Sequence, residues 1–245
     1  NMTSSQMTQI QADDDVHLMA SVWDPETGTV LPETGLSLEI RNEGTLVSEE
    51  VIYPMLSQPS GFNYGGNFGL EGDGTYTVTV RVGSVNTRRA GAFENRFTGP
   101  ASADIEFEYS QSARDQISFE RTMDRAGEGA ARPPMEMGMM PLSVLPDPAD
   151  LPGTTHGQTT TGGASLVTKS LNSVPDGIAA EIDAQYLYIS ARTPYNQMVI
   201  PGMALEATLE RAGEVIFGGE LTRTIHPQLK YHYGAAVPAV ASGDT

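Results

Sequence analysis

Cysteine is absent from all 245 residues, which excludes disulfides, zinc ribbons, iron–sulfur clusters and thiol catalysis. Lysine is nearly absent too. Lys169 and Lys230 are the only two, within 14 basic residues set against 31 acidic ones, for a formal net charge of -17. So anionic a surface repels phosphate backbones, which argues against nucleic acid as a partner. It suits solubility in high salt or the attraction of cations, and resembles the composition of secreted proteins from salt-loving microbes; a generic acidic surface is the plainer alternative. No stretch of about 18 apolar residues is present, so no helix is expected to span a membrane. The Gly-x-Ser-x-Gly elbow, the His-Glu-x-x-His helix and the Walker loop are also missing, and we read the chain as having no catalytic role.

What is present is a sequence stated twice. Shifting the chain by 169 positions lays His17 to Tyr76 over Tyr186 to Thr245 without a gap. Ten identities fall in those sixty positions, among them Pro25 on Pro194, Val30 on Val199, Leu36 on Leu205, Gly44 on Gly213 and Tyr64-Gly65 on Tyr233-Gly234. Average residue usage would give about three or four. The period is too long for a solenoid unit and fits a duplicated domain.

With 26 Gly and 16 Pro separating short alternating runs, the composition is that of an all-β chain. Val16 to Val22 and Leu36 to Ile40 read as strands, and Thr45 to Ile52 as a third after the turn at Asn42-Glu43-Gly44. Pro59 to Gly69, rich in Gly and aromatics, reads as a loop. Gly72-Asp73-Gly74-Thr75 turns into the alternation Tyr76 to Val82, the pattern of the last hairpin of an immunoglobulin-like sandwich, and Ala103 to Tyr109 adds one more strand. Gln111 to Ala130 could be helix or linker, and the Pro, Gly and Thr after it read as a connector. The second copy stops where the first begins its best strand. Either it ends incomplete, or residues such as Leu166 to Leu171 stand in for the missing strands, the outcome that avoids an exposed edge.

Histidines and methionines carry the candidate chemistry. His17 and Met19 are two apart on a strand and share a face. His226 and His232 flank the segment Pro227 to Tyr231, and His156 stands alone. Imidazole with thioether suits copper, and imidazole with carboxylate suits ferrous iron; a surface or hydrogen-bonded histidine is the plainer reading of each. The Met135 to Met140 cluster can be read as a pair of thioethers for Cu(I) or as packing between domains. Asp13-Asp14-Asp15 lacks the ligand spacing of a calcium loop and reads as a solvated run.

His17-Leu18-Met19, Pro54-Met55, Gly61-Phe62-Asn63-Tyr64-Gly65 and Gly72-Asp73-Gly74-Thr75-Tyr76 together resemble the periplasmic iron-transport protein family. The resemblance implies immunoglobulin-like sandwiches that bind iron or copper beside a membrane iron permease, with the metal near a dimer interface. Position by position, His17 matches the family's first His, and Met19 stands where the family has Glu. Met55 lies one residue from the family's Met, and Asn63 replaces its loop His. Where the family often has another His, this chain has Glu94-Asn95-Arg96. In the second copy His232-Tyr233-Gly234 restores the loop motif with His226 before it, while Tyr186 and Tyr188 hold the His-x-Glu positions.

The expected architecture is therefore all-β. It comprises a polar lead over 1–15, a first immunoglobulin-like β-sandwich over 16–110, a linker over 111–164 that is part helical, and a second sandwich over 165–245. The lead resembles a mature end whose signal or lipid anchor lies upstream. The expected function is extracytoplasmic binding of an iron or copper ion, accessory to iron uptake. Its ligands would be His17, Met19, Met55, His226 and His232, pooled across a homodimer or an internal pseudo-dimer. The alternative is a cell-surface structural or adhesive module that has lost its metal.

Overall fold

A computed structural model describes residues 11–118, 135, 138 and 141–245. In the first copy the strands are β1 (Val16–Ala20), β2 (Trp23–Asp24), β3 (Thr29–Val30), β4 (Thr34–Asn42), β5 (Thr45–Ser57), β6 (Gly61–Phe68), β7 (Gly74–Val85), β8 (Arg88–Arg89) and β9 (Ala101–Tyr109), followed by the one-turn helix α1 (Gln111–Arg114). Then come β10 (Thr154–Thr161), β11 (Ala164–Leu171), β12 (Gln185–Arg192), β13 (Glu206–Arg211), β14 (Glu214–Glu220), β15 (Thr222–His226) and β16 (Lys230–Val237). The fold is an all-β sandwich.

In the first copy β5 serves two layers. Up to Ile52 it pairs with β4, and from Tyr53 onward with β6. The resulting order is β1-β6-β5-β4-β7-β9. Between the layers lie Leu36, Leu38 and Ile40 of β4, Tyr76 and Val78 of β7, and Phe62, Tyr64 and Phe68 of β6, all buried. Each aliphatic side chain taken out of water in this way contributes about 1.5–3 kcal/mol.

Residues 59–69, read from sequence as a loop, are instead mostly β6. Glycine suggested a loop, but the aromatics of Gly-Phe-Asn-Tyr-Gly-Gly-Asn-Phe recur with a strand's period. Phe62, Tyr64 and Phe68 point into the core, while Asn63, Gly65 and Asn67 take the other face.

The shift of 169 that relates the sequences also relates the strand pairings. His17 pairs with Asn67 as Tyr186 does with Ala236, and Met19 pairs with Gly65 as Tyr188 does with Gly234. Likewise Met55 faces Asn63 as Thr224 faces His232. The ladder slips at Ile40/Arg41 and again at Leu209/Glu210. The two-residue turns correspond as well, with Glu43 and Gly44 at φ 47 and 82, and Ala212 and Gly213 at φ 51 and 82, left-handed at both positions as a type I′ hairpin requires. Even the tyrosine tie repeats: the Thr34 amide donates to the Tyr64 hydroxyl at 3.1 Å, and the Met203 amide to the Tyr233 hydroxyl at 3.1 Å.

The copies differ in what was added. In the second, β11 and β10 extend the sheet beyond β12, giving the order β10-β11-β12-β16-β15-β8. Residues 166–171 thus enlarge the edge that corresponds to β1, and do not replace the counterpart of β7. At the other end β13 and β14 form a two-stranded sheet, and Glu210 and Thr245 exchange two backbone hydrogen bonds of 2.7 and 3.0 Å.

The expected boundaries are crossed twice. Strand β10 lies inside the stretch 111–164 read as linker, and β8 leaves the first copy to pair in parallel with β15. One buried cluster runs through both copies, from Val30, Leu36 and Tyr64 to Leu166, Ala191, Ile225 and Tyr233. Polar ties reinforce it. Lys230 Nζ donates to Thr27 O at 2.8 Å, Arg223 pairs with Glu33 at 2.8 Å, and the Tyr231 hydroxyl donates to Glu33. Asp15, expected to be part of a solvated run, joins β1 to the end of β9: it accepts from the Leu70 amide, the Tyr109 hydroxyl and Arg114.

Candidate functional site

The outer face of the first copy, away from the core, gathers three of the five expected ligands. His17 and Met19 on β1, Gly65 and Asn67 on β6, and Met55 on β5 all point to it by alternation and register. Gly65 lies at the centre. A Cβ built there would be 2.9 Å from His17 Nε2 and 3.1 Å from Met55 Sδ, so both donor atoms converge on the space that its missing side chain leaves. Met19 is directly opposite Gly65 in the ladder and 39% exposed.

Asn67 decides which imidazole nitrogen faces that space. His17 Nδ1 lies 2.7 Å from Asn67 Oδ1, an acceptor, so Nδ1 carries a proton and, in the neutral ring, Nε2 keeps its lone pair. Asn67 was not singled out from sequence, although pairing β1 with β6 in register places it opposite His17. Nearby Asn63, opposite Met55, is buried. Its Nδ2 donates to Ser60 Oγ and Gly61 O, each at 3.2 Å, and its Oδ1 has no partner among the described residues.

His226 and His232 are elsewhere and otherwise engaged. His232 is fully buried; Nδ1 donates to Lys230 O at 3.0 Å, and Nε2 accepts from the Tyr186 hydroxyl at 3.0 Å. The rings of Tyr186 and Tyr188 meet it edge-on at 5.7 and 5.4 Å. Burial pushes its pKa down to about 3, so the ring stays neutral. His226 Nδ1 accepts from the amides of Gln228 at 3.1 Å and Leu229 at 3.3 Å, capping a turn, and Nε2 abuts Gly91. Burial also lowers its pKa. Neither ring offers a free lone pair, and the expected pooling with His17 does not occur: both are tied into the second sheet by its own backbone.

The second copy fills the equivalent space with its own atoms. A Cβ on Gly234, the counterpart of Gly65, would lie 2.5 Å from Tyr186 Cζ and closer still to the hydroxyl. This face is also covered. Lys169 Nζ donates to Pro148 O at 2.7 Å and Leu151 O at 2.6 Å, Arg192 donates to Pro146 O at 2.8 Å, and Tyr188 donates to Pro152 O. Leu171, Val174 and Ile178 pack over Tyr186 and Tyr188.

Two expectations do not enter the site. His156 sits on exposed β10 with Nε2 2.7 Å from Ser170 Oγ. Of the methionine cluster, Met137, Met139 and Met140 lie outside the described residues, while Met135 is 53% exposed and bonded through its amide to Pro59 O. Among the described residues no three His, Asp or Glu side chains gather in a metal-holding group.

A family described as a domain of unknown function, DUF7350, matches residues 149–245. No curated protein matches the chain. Among solved structures, two that resemble part of it are FetP from uropathogenic Escherichia coli strain F11. One is FetP as isolated from recombinant expression in the periplasm of E. coli BL21(DE3), and the other is a copper-bound variant. Both are 26% identical, with TM-scores of 0.36 and 0.35, over 40% of this chain and 74% of theirs.

Proposed function

We propose that the outer face of the first copy binds a single copper ion in its monovalent state. The observation that carries this reading is the convergence of His17 Nε2 and Met55 Sδ over Gly65, with Asn67 holding the imidazole in the ligating tautomer. A neutral imidazole nitrogen and a thioether are the donors that a soft monovalent ion prefers. Met19, on the same face, is the second thioether-bearing position, and the Asn63 side-chain carbonyl oxygen beside Met55 has no partner among the described residues. Ferrous iron prefers imidazole with carboxylate, whereas the side-chain atoms nearest the space over Gly65 are imidazole and thioether, so copper is the better fit of the two. The tie from Asn67 is the outer-sphere hydrogen bond that orients a metal-binding histidine.

The chain's role in this reading is carriage without catalysis. An extracytoplasmic location and service to a membrane iron permease rest on the sequence resemblance alone. A structural or adhesive surface role is the second reading. The second copy favours it, since the same strands there form a packed interior with no open donor.

The test is a Cu(I) titration against a chromophoric competitor under reduction, run beside Cu(II) and Fe(II), on the native chain and on His17→Ala, Met55→Leu and His232→Gln. One Cu(I) bound per chain, weakened at least about tenfold by either of the first two changes and untouched by the third, is the expected result. Binding no tighter than that of a generic acidic surface, or equal loss in all three, would leave the structural reading.

A further inference from the structure

Arg88 reaches the second copy on β8, which lies along β15 with Arg88 beside Thr224 and Arg89 beside Ile225. Its guanidinium is half-buried, yet among the described residues it pairs with no carboxylate. It meets three neutral oxygens. Nε donates to Thr224 Oγ1 at 2.9 Å, and Nη2 donates to the Tyr186 hydroxyl at 3.0 Å and to Gly234 O at 2.9 Å.

Shifted back by 169 positions, those three residues become Met55, His17 and Gly65, the ones that frame the candidate copper site. We propose that the second copy carries a guanidinium-binding site at the place corresponding to the first copy's metal site, and that the chain's own Arg88 fills it. The inference does not rest on copper binding in the first copy, because the three contacts exist whatever occupies the space over Gly65.

Hydrogen-bond accounting shows that the site is built. Lys230 O can only accept, so His232 Nδ1 carries the proton and Nε2 must accept from Tyr186. The phenol's single proton is thereby committed to His232, and its lone pairs are left for Arg88. Threonine hydroxyl, phenol and carbonyl are hard oxygen acceptors set to a planar fork of N–H donors, whereas imidazole and thioether at the same positions suit a soft ion. Occupancy by Arg88 also ties the stretch between β7 and β9 to the second sheet, which closes this face to an outside cation.

Two measurements test the proposal without metal. In the native chain, the Arg88 Nε–H resonance is followed by 15N-edited NMR as pH is raised, and its exchange with water is expected to be at least about tenfold slower than for a free arginine side chain. In Arg88→Ala, thermal stability is followed while methylguanidinium is added, with methylammonium and sodium chloride at matched ionic strength as controls. Saturable recovery of most of the lost Tm by methylguanidinium alone is expected, with no recovery in Arg88→Ala/Thr224→Val. An Nε–H that exchanges as fast as free arginine overturns the proposal, even if Arg88→Ala does not fold. So does equal recovery with methylammonium, or none with methylguanidinium in a folded variant.

Discussion

Alanine at each of the two central glycines separates the faces quantitatively. Away from its surroundings, Gly→Ala in a strand gains about 0.5–1 kcal/mol through the backbone. At Gly65 the new methyl would meet the far ends of two outward-facing side chains, which can swing into solvent, so the gain survives and the fold is unharmed. What is lost is the space where His17 and Met55 converge, and Cu(I) affinity is expected to fall at least about tenfold. At Gly234 the methyl would meet the ring of Tyr186, which is fully buried. Displacing that phenol overpacks the interior, costing about 1–3 kcal/mol, and leaves His232 Nε2 and Arg88 short of partners, costing about another 1–3 kcal/mol. After the backbone gain, Gly234→Ala should be less stable by roughly 1–5 kcal/mol, or about 10 °C in Tm at mid-range for a chain of this length. Calorimetry of both variants, with the Cu(I) titration, measures the contrast. Equal Tm values for Gly234→Ala and the native chain, or a comparable fall for Gly65→Ala, would refute the description of these two spaces.

Asn67→Ala should lower Cu(I) affinity by about 10–100-fold with Tm unchanged, because it frees the His17 tautomer without touching a donor atom. Asn67→Asp, which restores an acceptor, should recover most of the loss. His232 sets a pH dependence. Its folded pKa lies near 3, below the unfolded value of about 6.5. Below that unfolded value the unfolded chain takes a proton that the native chain refuses, so stability is lost as pH falls from 6.5 toward 3. Between pH 7 and 5 the contribution is about 2 kcal/mol. Urea midpoints at the two pH values should differ by less in His232→Asn, and an identical difference would contradict the burial assigned to this ring. Lys169 is 1% exposed with its ammonium on two carbonyls, so amine-reactive labelling should leave it untouched in the native protein and modify it after unfolding.

The sequence carried the internal duplication with unusual fidelity, because the shift of 169 that aligned ten identities also superimposes every pair of the β1–β6 ladder on the β12–β16 ladder. The shared face of His17 and Met19 followed from strand period alone. Period could not show that Met55, on another strand, converges with His17 over Gly65, nor that Asn67 orients the imidazole. Those depend on register between strands far apart in the chain. His226 and His232 misled for a physical reason: a histidine's motif does not show whether its nitrogens are spent on backbone groups, and here Lys230 O and the amides of Gln228 and Leu229 take them. Arg88 gave no signal, since a two-residue strand has no period, and its partners are 98 to 146 residues away.

The chemical difference between the two faces arises from cover more than from strand geometry. Both copies present a glycine between two converging side chains at the same register. In the second, residues 146–152 lay their carbonyls on Lys169 and Arg192, supplying polar partners to two buried cations that form no salt bridge among the described residues. Arg88 then enters beside Tyr186, and the ring of His232 is left neutral and fully bonded. In the first, no described segment closes over β1, so His17 keeps an unbonded Nε2 facing Met55. Exchanging His17 and Met55 for tyrosine and threonine would therefore not reproduce the second face, because neither the strap of carbonyls nor the guanidinium would come with them. By the same reasoning, placing histidine at Tyr186 would not create a second copper site while Arg88 remains. The guanidinium would still sit on Thr224 Oγ1 and Gly234 O, and its positive charge would oppose a metal ion there. Duplication supplied two equivalent positions; the covered one holds the chain's own arginine, and the open one is the position proposed above for a metal ion.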